Sequence, residues 1–186
     1  MTTAEEAIGH VAIVAYDPTW PALFAAEQEL LNTSVIPRFI ALEHIGSTAV
    51  PGQRAKPIID IMAAIDSLNQ SDTVVEKLQG LRYRLIKTGM PGRLFLRKPA
   101  SSVRPGFHLH IVERETWDDR NERLMRDYLI QHSETVLAYG KLKDKLAAEF
   151  TGDSLAYTRA KTAFIQELID RARDQRGLAR VNVWEE

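Results

Sequence analysis

The sequence predicts an α+β fold, in which a mixed β-sheet occupies the first part of the chain and helices occupy the rest. The run Pro57–Ile65 is apolar at almost every position, as expected for an inner strand that is covered on both faces. From Trp117 onward the apolar residues recur at helical spacing instead. A chain of 186 residues has the length of one domain. We therefore expect a single domain over residues 1–186, with an α+β part over about 10–115 and a helical part over about 117–176.

The elements of the α+β part can be assigned in chain order. Asp17 and Pro18 are a typical helix start, and the apolar residues that follow predict a helix over about 18–32. A second short helix is expected around Val35–Phe39. The remaining predicted elements are strands at 41–45, 57–65, 83–87, 93–98 and 107–113, and a helix within 66–81. A turn-rich loop joins the last two strands, so we expect a β-hairpin there.

The helical part is predicted to contain three helices, over about 118–131, 134–150 and 154–174. Gly177 follows the last helix at the position where a glycine often ends a helix. The tail at 178–186 is expected either to fray or to dock as a short strand.

Composition and charge exclude several classes of protein. Lysine and arginine total 24 against 25 aspartate and glutamate, and this balance argues against a protein that binds duplex nucleic acid. Without cysteine, the chain has no disulfide, no thiolate nucleophile and no cysteine-bound metal. No apolar run approaches the ~20 residues that span a bilayer, and the acidic N-terminus is unlike a secretory signal. We therefore expect a cytoplasmic protein with no membrane or nucleic-acid partner, while its oligomeric state stays open.

A phosphate-binding turn is expected directly after the strand at 41–45. Gly46, Ser47 and Thr48 follow that strand, and such a turn can present backbone N–H groups and a hydroxyl to phosphate oxygens. The alternative is structural, with Gly46 as a turn residue and Ser47 or Thr48 as the cap of the next turn. The sequence contains no P-loop, dinucleotide-binding, serine-hydrolase or zinc-peptidase motif that would assign this turn to a better-known class.

Asp60 is the polar residue inside the apolar run 57–65. An ionised carboxylate in such a strand must be paired with a cation, hydrogen-bonded or bound to a metal ion. Lys56 or a neighbouring arginine could supply the pairing. Strand alternation places Ile58, Met62 and Ala64 on its face, so this strand offers no second carboxylate beside it.

His108 and His110 are two residues apart in a predicted strand, so they point to the same face. The pair suits a metal site or a general-acid role beside a phosphate, and the alternative is two strand histidines hydrogen-bonded to neighbours. Cations are concentrated nearby, namely Arg82, Arg84, Lys87, Arg93, Arg97, Lys98 and Arg104. They predict a positive edge that attracts phosphate, unless they form only a solvated charged hairpin.

Seven segments of the chain resemble a known family. YDPTW, EHIGSTAVPG, AKPIIDI, HLHIVE, RDYL, YGKLK and Y-x-x-AK-x-x-FI occur in the order seen in the GrpB family, over residues about 10–170. That family is similar to the DNA polymerase β-like nucleotidyltransferase superfamily. The resemblance implies a nucleotidyltransferase-like mixed β-sheet flanked by helices, with a C-terminal helical segment.

The resemblance also implies roles for particular residues. Gly46 and Ser47 would contact nucleotide phosphates, and Asp60 would be the first metal ligand. The match breaks at the second carboxylate position, which is Met62. A later strand supplies two histidines where an acid is typical. Losing one of three carboxylates should severely weaken a two-metal clamp.

From these observations we expect a nucleotidyltransferase-like protein that binds a nucleotide or another phosphorylated small molecule. Its phosphate-binding residues would be Gly46, Ser47, Thr48, Lys56, Arg93 and Arg97. Asp60, His108 and His110 would be the catalytic residues and would bind Mg²⁺ or Mn²⁺. An active enzyme would transfer a nucleotidyl group from a nucleoside triphosphate to a hydroxyl acceptor. The alternative is a catalytically inactive phosphate-binding or protein-interaction module.

Overall fold

A five-stranded mixed sheet forms the centre of the computed structural model, which describes residues 12–36 and 38–183. The strands are β1 (Ala41–Ile45), β2 (Ile58–Ile65), β3 (Arg84–Ile86), β4 (Arg93–Lys98) and β5 (Gly106–Glu113). Their order across the sheet is β1-β2-β5-β4-β3. β2 and β5 run parallel, and the other neighbouring pairs are antiparallel. The predicted strands are confirmed, and so is the hairpin formed by β4 and β5.

The helices lie on both sides of this sheet. In the described ranges they are α1 (Trp20–Ser34), α2 (Asp72–Gly80), α3 (Asn121–Gln131), α4 (Ser133–Glu149), α5 (Ser154–Ala160) and α6 (Thr162–Gln175). α1 begins with Pro21 in its first turn, where a missing N–H costs no helical hydrogen bond. No helix in this part of the chain is long and apolar enough to cross a membrane.

α1 and α2 cover one face of the sheet. Alternate residues of β2 and β5 point to this face, among them Ile59, Ile61 and Leu109, and each is fully buried. Trp20 of α1 and Leu78 of α2 pack into the same cluster. Burying a side chain of this size stabilises the fold by about 1.5–3 kcal/mol. A slip of one residue would expose the whole set, so this layer fixes the register of β2 against β5.

The opposite face carries the candidate site and is partly covered by the C-terminal helices. Asp60 and His108 lie side by side there, because they are register partners in the parallel pair β2–β5. α3 is attached to β1 by Arg123 and Arg126, which both bind the carboxylate of Glu43. The helices α3, α4 and α6 share an apolar cluster of their own. The site therefore lies where two separately packed layers meet.

Two helix predictions were wrong in detail. The described residues between Ser34 and β1 are not helical, and the backbone of Val35 is extended. The proline at position 37 explains this, because it disfavours helical backbone at the residue before it. The helix predicted over 154–174 is two helices, which are separated at Lys161.

The described part of the tail docks against α6 without forming a strand. Gln166 donates from Nε2 to the Val181 carbonyl at 2.8 Å and accepts at Oε1 from the Val183 N–H at 3.0 Å. Gly177 follows α6 with a φ of +66°, as predicted for a residue that ends a helix. Residues 10–11 and 184–186 of the predicted terminal segments lie outside the described residues.

Candidate functional site

Gly46, Asp60 and His108 form the base of the candidate site. β1 pairs with β2 so that Ile45 lies opposite Asp60, which brings the next residue, Gly46, against the carboxylate. Gly46 has a φ of +69°, and a β-carbon there would lie 2.4 Å from Asp60 Oδ2. Asp60 Oδ1 lies 3.1 Å from His108 Nδ1. One carboxylate oxygen thus contacts the imidazole, and the other lies against a backbone position that only glycine fits.

Thr48 anchors the turn that follows Gly46. Its buried Oγ1 donates to the Ile58 carbonyl at 3.1 Å. The same oxygen lies 3.0 Å from His44 Nε2. Burial lowers the pKa of His44 to about 4, so the ring is neutral at pH 7 and can donate its single proton to Thr48. Both hydrogen bonds of this hydroxyl are made within the protein, and its role is to tie the turn to β2.

Ser47 is positioned by a lysine from α4. Lys143 Nζ lies 3.0 Å from Ser47 Oγ and also donates to the Arg54 carbonyl. Burial is the main reason that the pKa of Lys143 is lowered to about 7. In its ammonium form Lys143 can only donate, so Ser47 Oγ accepts this bond and its own proton is left for another acceptor. While Lys143 is an ammonium, the Ser47 hydroxyl can therefore act as a donor at the base of the cleft.

An inner cavity of about 140 Å³ lies over these groups. On its wall the Tyr157 ring has lysines near its face, with Lys56 Nζ at 4.8 Å and Lys161 Nζ at 4.3 Å from the ring centre. Burial lowers the pKa of both lysines, and the charge of Lys56 contributes to lowering that of Lys161 to about 8. Burial is the larger cause of these shifts, and repulsion from neighbouring cations adds to it.

An outer cavity of about 430 Å³ adjoins the inner one. The two share Lys56, Ile58 and His108 in their walls, so we treat them together as the cleft. Arg84 and Arg97 are register partners in β3 and β4, and both line the outer cavity. Apolar side chains and backbone make up much of the remaining wall. The cleft therefore has cations in both cavities and additional apolar surface in the outer one.

Lys98 shows that the predicted positive edge is only partly available to a ligand. Its Nζ lies 2.8 and 3.0 Å from the two carboxylate oxygens of Glu27. Glu27 is buried and also accepts a hydrogen bond from the Tyr83 hydroxyl at 3.0 Å. This cation already has a counterion inside the fold.

Arg93 and His110 lie away from the cleft. Arg93 is ion-paired with Glu122 of α3, and its side chain is 5% exposed. His110 packs with its ring centre 4.8 Å from that of Phe95, and burial lowers its pKa. Neither residue lines the inner or the outer cavity. The structure brings the other predicted site residues together around Asp60.

The residues at this site do not fit a two-metal centre. Met62, at the position of the second carboxylate, is fully buried in an apolar cluster with Val112. Of the predicted ligands Asp60, His108 and His110, the first two are in contact and the third lies outside the cleft. Within the described ranges, no three histidine, aspartate or glutamate side chains are grouped so that they could bind a metal ion.

Three residues of the helical part complete the cleft and were not among the predicted site residues, namely Lys143, Tyr157 and Lys161. They do lie within the segments YGKLK and Y-x-x-AK-x-x-FI, which contributed to the family resemblance. Helical spacing alone did not indicate which of their side chains face the sheet. The break between α5 and α6 falls at Lys161, and this break was not predicted either.

Relatives of the chain are found among bacterial proteins. It is 33% identical over 165 residues to a UPF0157 protein of Pseudomonas aeruginosa, which covers 87% of this chain and 67% of that protein. It is 32% identical over 171 residues to the glutamate-rich protein GrpB of Alkalihalophilus pseudofirmus, covering 87% of this chain and 95% of that protein. A UPF0157 protein of Bacillus subtilis is 30% identical over 164 residues, which cover 88% of this chain and 47% of that protein. The chain spans about half the length of that last relative.

Solved structures share the fold. The crystal structure of the conserved protein GrpB from Enterococcus faecalis matches with a TM-score of 0.80 at 27% identity, covering 89% of this chain and 99% of that one. The structure of the GLD-2/RNP-8 complex matches with a TM-score of 0.58 at 15% identity, covering 92% and 71%, and this likeness concerns the fold alone. The mixed sheet flanked by helices is the architecture that the resemblance implied. The GrpB protein family matches residues 10–171, which include the sheet and the cleft, and the chain therefore belongs to the GrpB family.

Proposed function

We propose that this chain binds a nucleotide or another phosphorylated small molecule in the cleft, with a phosphate group in the inner cavity. The observation that supports the proposal is the excess of positive charge. The described residues that line the cleft include one carboxylate, that of Asp60, and the cations Lys56, Lys161, Arg84 and Arg97, besides Lys98, which is paired with Glu27. Cations held close together and partly out of water are costly. An anionic ligand would offset that cost.

The cleft offers specific donors for phosphate oxygens. Ser47 has a hydroxyl proton that is not used by Lys143, and the two lysines beside Tyr157 supply charged donors. Charge-assisted hydrogen bonds of this kind are about twice as strong as neutral ones. Arg97 lies in the outer cavity, where it can contact a second part of the ligand.

Nucleotidyl transfer is the second candidate function, and the contact between Asp60 and His108 favours it. In this role Asp60 would orient the His108 ring through Nδ1, and His108 Nε2 would take the proton of a hydroxyl that attacks the α-phosphorus of a nucleoside triphosphate. The bond to the β-phosphate would break, and pyrophosphate would leave. The lysines of the inner cavity would stabilise negative charge on the phosphate oxygens. Buried Met62 instead favours a binding module without catalysis.

Calorimetric titration with ATP, GTP, CTP and UTP, each with and without Mg²⁺ or Mn²⁺, tests the binding. Lys161→Met removes a donor of the inner cavity. Lys145→Met removes an exposed lysine of α4 that lines neither cavity, and it is the matched control. Losing one charge-assisted hydrogen bond should weaken binding by about 10- to 100-fold. Absence of binding under every condition, or equal affinities of the two variants, contradicts the proposal.

Asp60→Asn separates the two candidates. A transferase should lose turnover, because the amide no longer holds the imidazole in the correct tautomer. A binding module should keep its anionic ligand as well as the wild type or better, because one negative charge has been removed. Turnover and affinity are measured on the same preparations. Unchanged turnover in Asp60→Asn would contradict the catalytic role.

A further inference from the structure

We propose that the ligand of the cleft is a phosphate monoester, such as a nucleoside monophosphate, and that it binds without a divalent cation; this inference rests on the proposed function. Asp60 supplies the carboxylate among the described residues of the inner cavity. Asp60 Oδ1 already contacts His108, and Asp60 Oδ2 lies where a side chain on residue 46 would begin. Met62 cannot supply another oxygen. A divalent cation would find one committed carboxylate, whereas Mg²⁺ sites need oxygen ligands arranged octahedrally.

The inner cavity already contains positive charge. Lys56 and Lys161 line the same inner cavity as Asp60, and both lie near the Tyr157 ring. Two fixed ammonium groups would repel a divalent cation placed between them and the carboxylate. The same two groups can neutralise phosphate oxygens directly. The lysines therefore supply at this place the charge that a metal ion would otherwise supply.

The size and charge of the inner cavity suit one phosphate group. Its volume of about 140 Å³ corresponds to a few water-sized groups, which is enough for one phosphate. A chain of three phosphates would have to extend into the outer cavity, where the walls become partly apolar. A phosphate monoester carries a charge of about −1.5 to −2 at neutral pH. Lys56 and Lys161 can offset the charge of such a dianion, and Arg97 of the outer cavity can offset the charge of Asp60.

The outer cavity would hold the rest of the ligand. The outer cavity shares three wall residues with the inner one and is about three times larger, at about 430 Å³ against about 140 Å³. Ile58, Ile86 and Pro99 contribute apolar surface there, and Arg84 and Arg97 contribute cations. The apolar part of this wall can pack against the organic part of a small phosphorylated molecule.

The experiment is calorimetric titration of the full chain with AMP, with ribose 5-phosphate, with inorganic phosphate and with ATP. Each titration is done once with EDTA and once with excess Mg²⁺. We expect AMP and ribose 5-phosphate to bind in EDTA with affinities that Mg²⁺ changes by less than about twofold. We expect Mg²⁺ to weaken the binding of ATP, because chelation removes the charge that the lysines recognise.

The possible results separate this inference from the proposed function. If Mg²⁺ strengthens the binding of AMP or ATP by about tenfold or more, the metal-free inference is overturned while phosphate binding stands. If none of the four probes binds in either condition, phosphate binding itself is contradicted. If only ATP binds, with or without Mg²⁺, the monoester is the wrong ligand class.

Variants confirm where the probe binds. Lys56→Met and Lys161→Met should each weaken the binding of AMP in EDTA by about 10- to 100-fold. Lys145→Met should bind AMP as the wild type does. Thermal unfolding of each variant, followed by circular dichroism, shows that the fold is retained. Wild-type affinity in both cleft variants overturns the inference.

Discussion

Gly46 is the residue on which the geometry of the site depends most directly. Its positive φ and its contact with Asp60 are separate requirements, and glycine meets both. Gly52 has a φ of +77° but no atom within 4 Å of where its β-carbon would be. The two glycines therefore differ in the contact and not in the backbone strain.

Gly46→Ala should lower the free energy of unfolding by more than Gly52→Ala does. Both variants are expected to lose about 1–2 kcal/mol through left-handed backbone strain. Gly46→Ala should lose about 1–3 kcal/mol more, because its methyl group meets Asp60 Oδ2. Urea unfolding of the two variants measures the difference. Equal losses would show that the carboxylate moves away freely and that the site is not rigid.

His44 makes the stability of the fold depend on pH. Burial lowers its pKa to about 4, from an ordinary value of 6.5. Between these values the unfolded chain binds the proton and the folded chain does not. The contribution is fully present above about pH 6.5 and is lost as the pH falls towards about 4. After allowance for partial exposure it amounts to roughly 1–3 kcal/mol.

Comparison with His44→Gln isolates this contribution. The variant retains a donor for Thr48 but has no titrating ring. We expect the wild type to lose more stability than His44→Gln between pH 6.5 and 4.5, as measured by urea unfolding at a series of pH values. Parallel curves for the two proteins would contradict the assignment of this pH dependence to His44.

At the scale of elements, the carboxylate of Glu43 helps to join the helical part to the sheet. Glu43 of β1 accepts hydrogen bonds from Arg123 and Arg126 of α3 at 2.7–3.0 Å. Although burial raises the pKa of Glu43, the hydrogen bonds from the two arginines outweigh this effect and lower it overall. The three side chains are 14–30% exposed, so their interactions are less screened than those of surface pairs.

Glu43→Gln should destabilise the fold by about 2–4 kcal/mol, because two partly buried guanidinium groups lose the carboxylate that they share and keep only their ion pairs with Asp118 and Asp127. Asp66→Asn is the control, since the ion pair of Asp66 with Arg114 has side chains that are 79% and 62% exposed. That variant should lose less than about 1 kcal/mol. Thermal and urea unfolding measure both. A loss in Glu43→Gln as small as that of the control would mean that α3 is attached mainly by other contacts.

The sequence predicted most of these elements because their patterns are local. The apolar run of β2 and the helical spacing of α3 and α4 are each visible within one segment. The break at Lys161 was not visible, since no proline or glycine marks it. The separation of Arg93 and His110 from the cleft depends on Glu122 and Phe95, which lie in other segments. Such contacts are set by tertiary packing, and strand alternation alone cannot predict them.

At the scale of the whole molecule, the cleft joins two parts that the sequence describes separately. The turn at Ser47 and the pair of Asp60 and His108 come from the sheet, and Tyr157 and Lys161 come from α5 and the turn that follows it. Neither part alone surrounds a phosphate with donors. The family resemblance predicted the sheet side of the site. The helical side became apparent only when the two parts were placed together.

A crystal structure of the protein grown with AMP tests the central claim most directly. We predict that the phosphate lies in the inner cavity, with oxygens within hydrogen-bonding distance of Ser47 Oγ and Lys161 Nζ. We also predict that the nucleoside extends into the outer cavity beside Arg97. AMP bound elsewhere, or bound in the cleft with its phosphate directed away from Ser47 and Lys161, would contradict it.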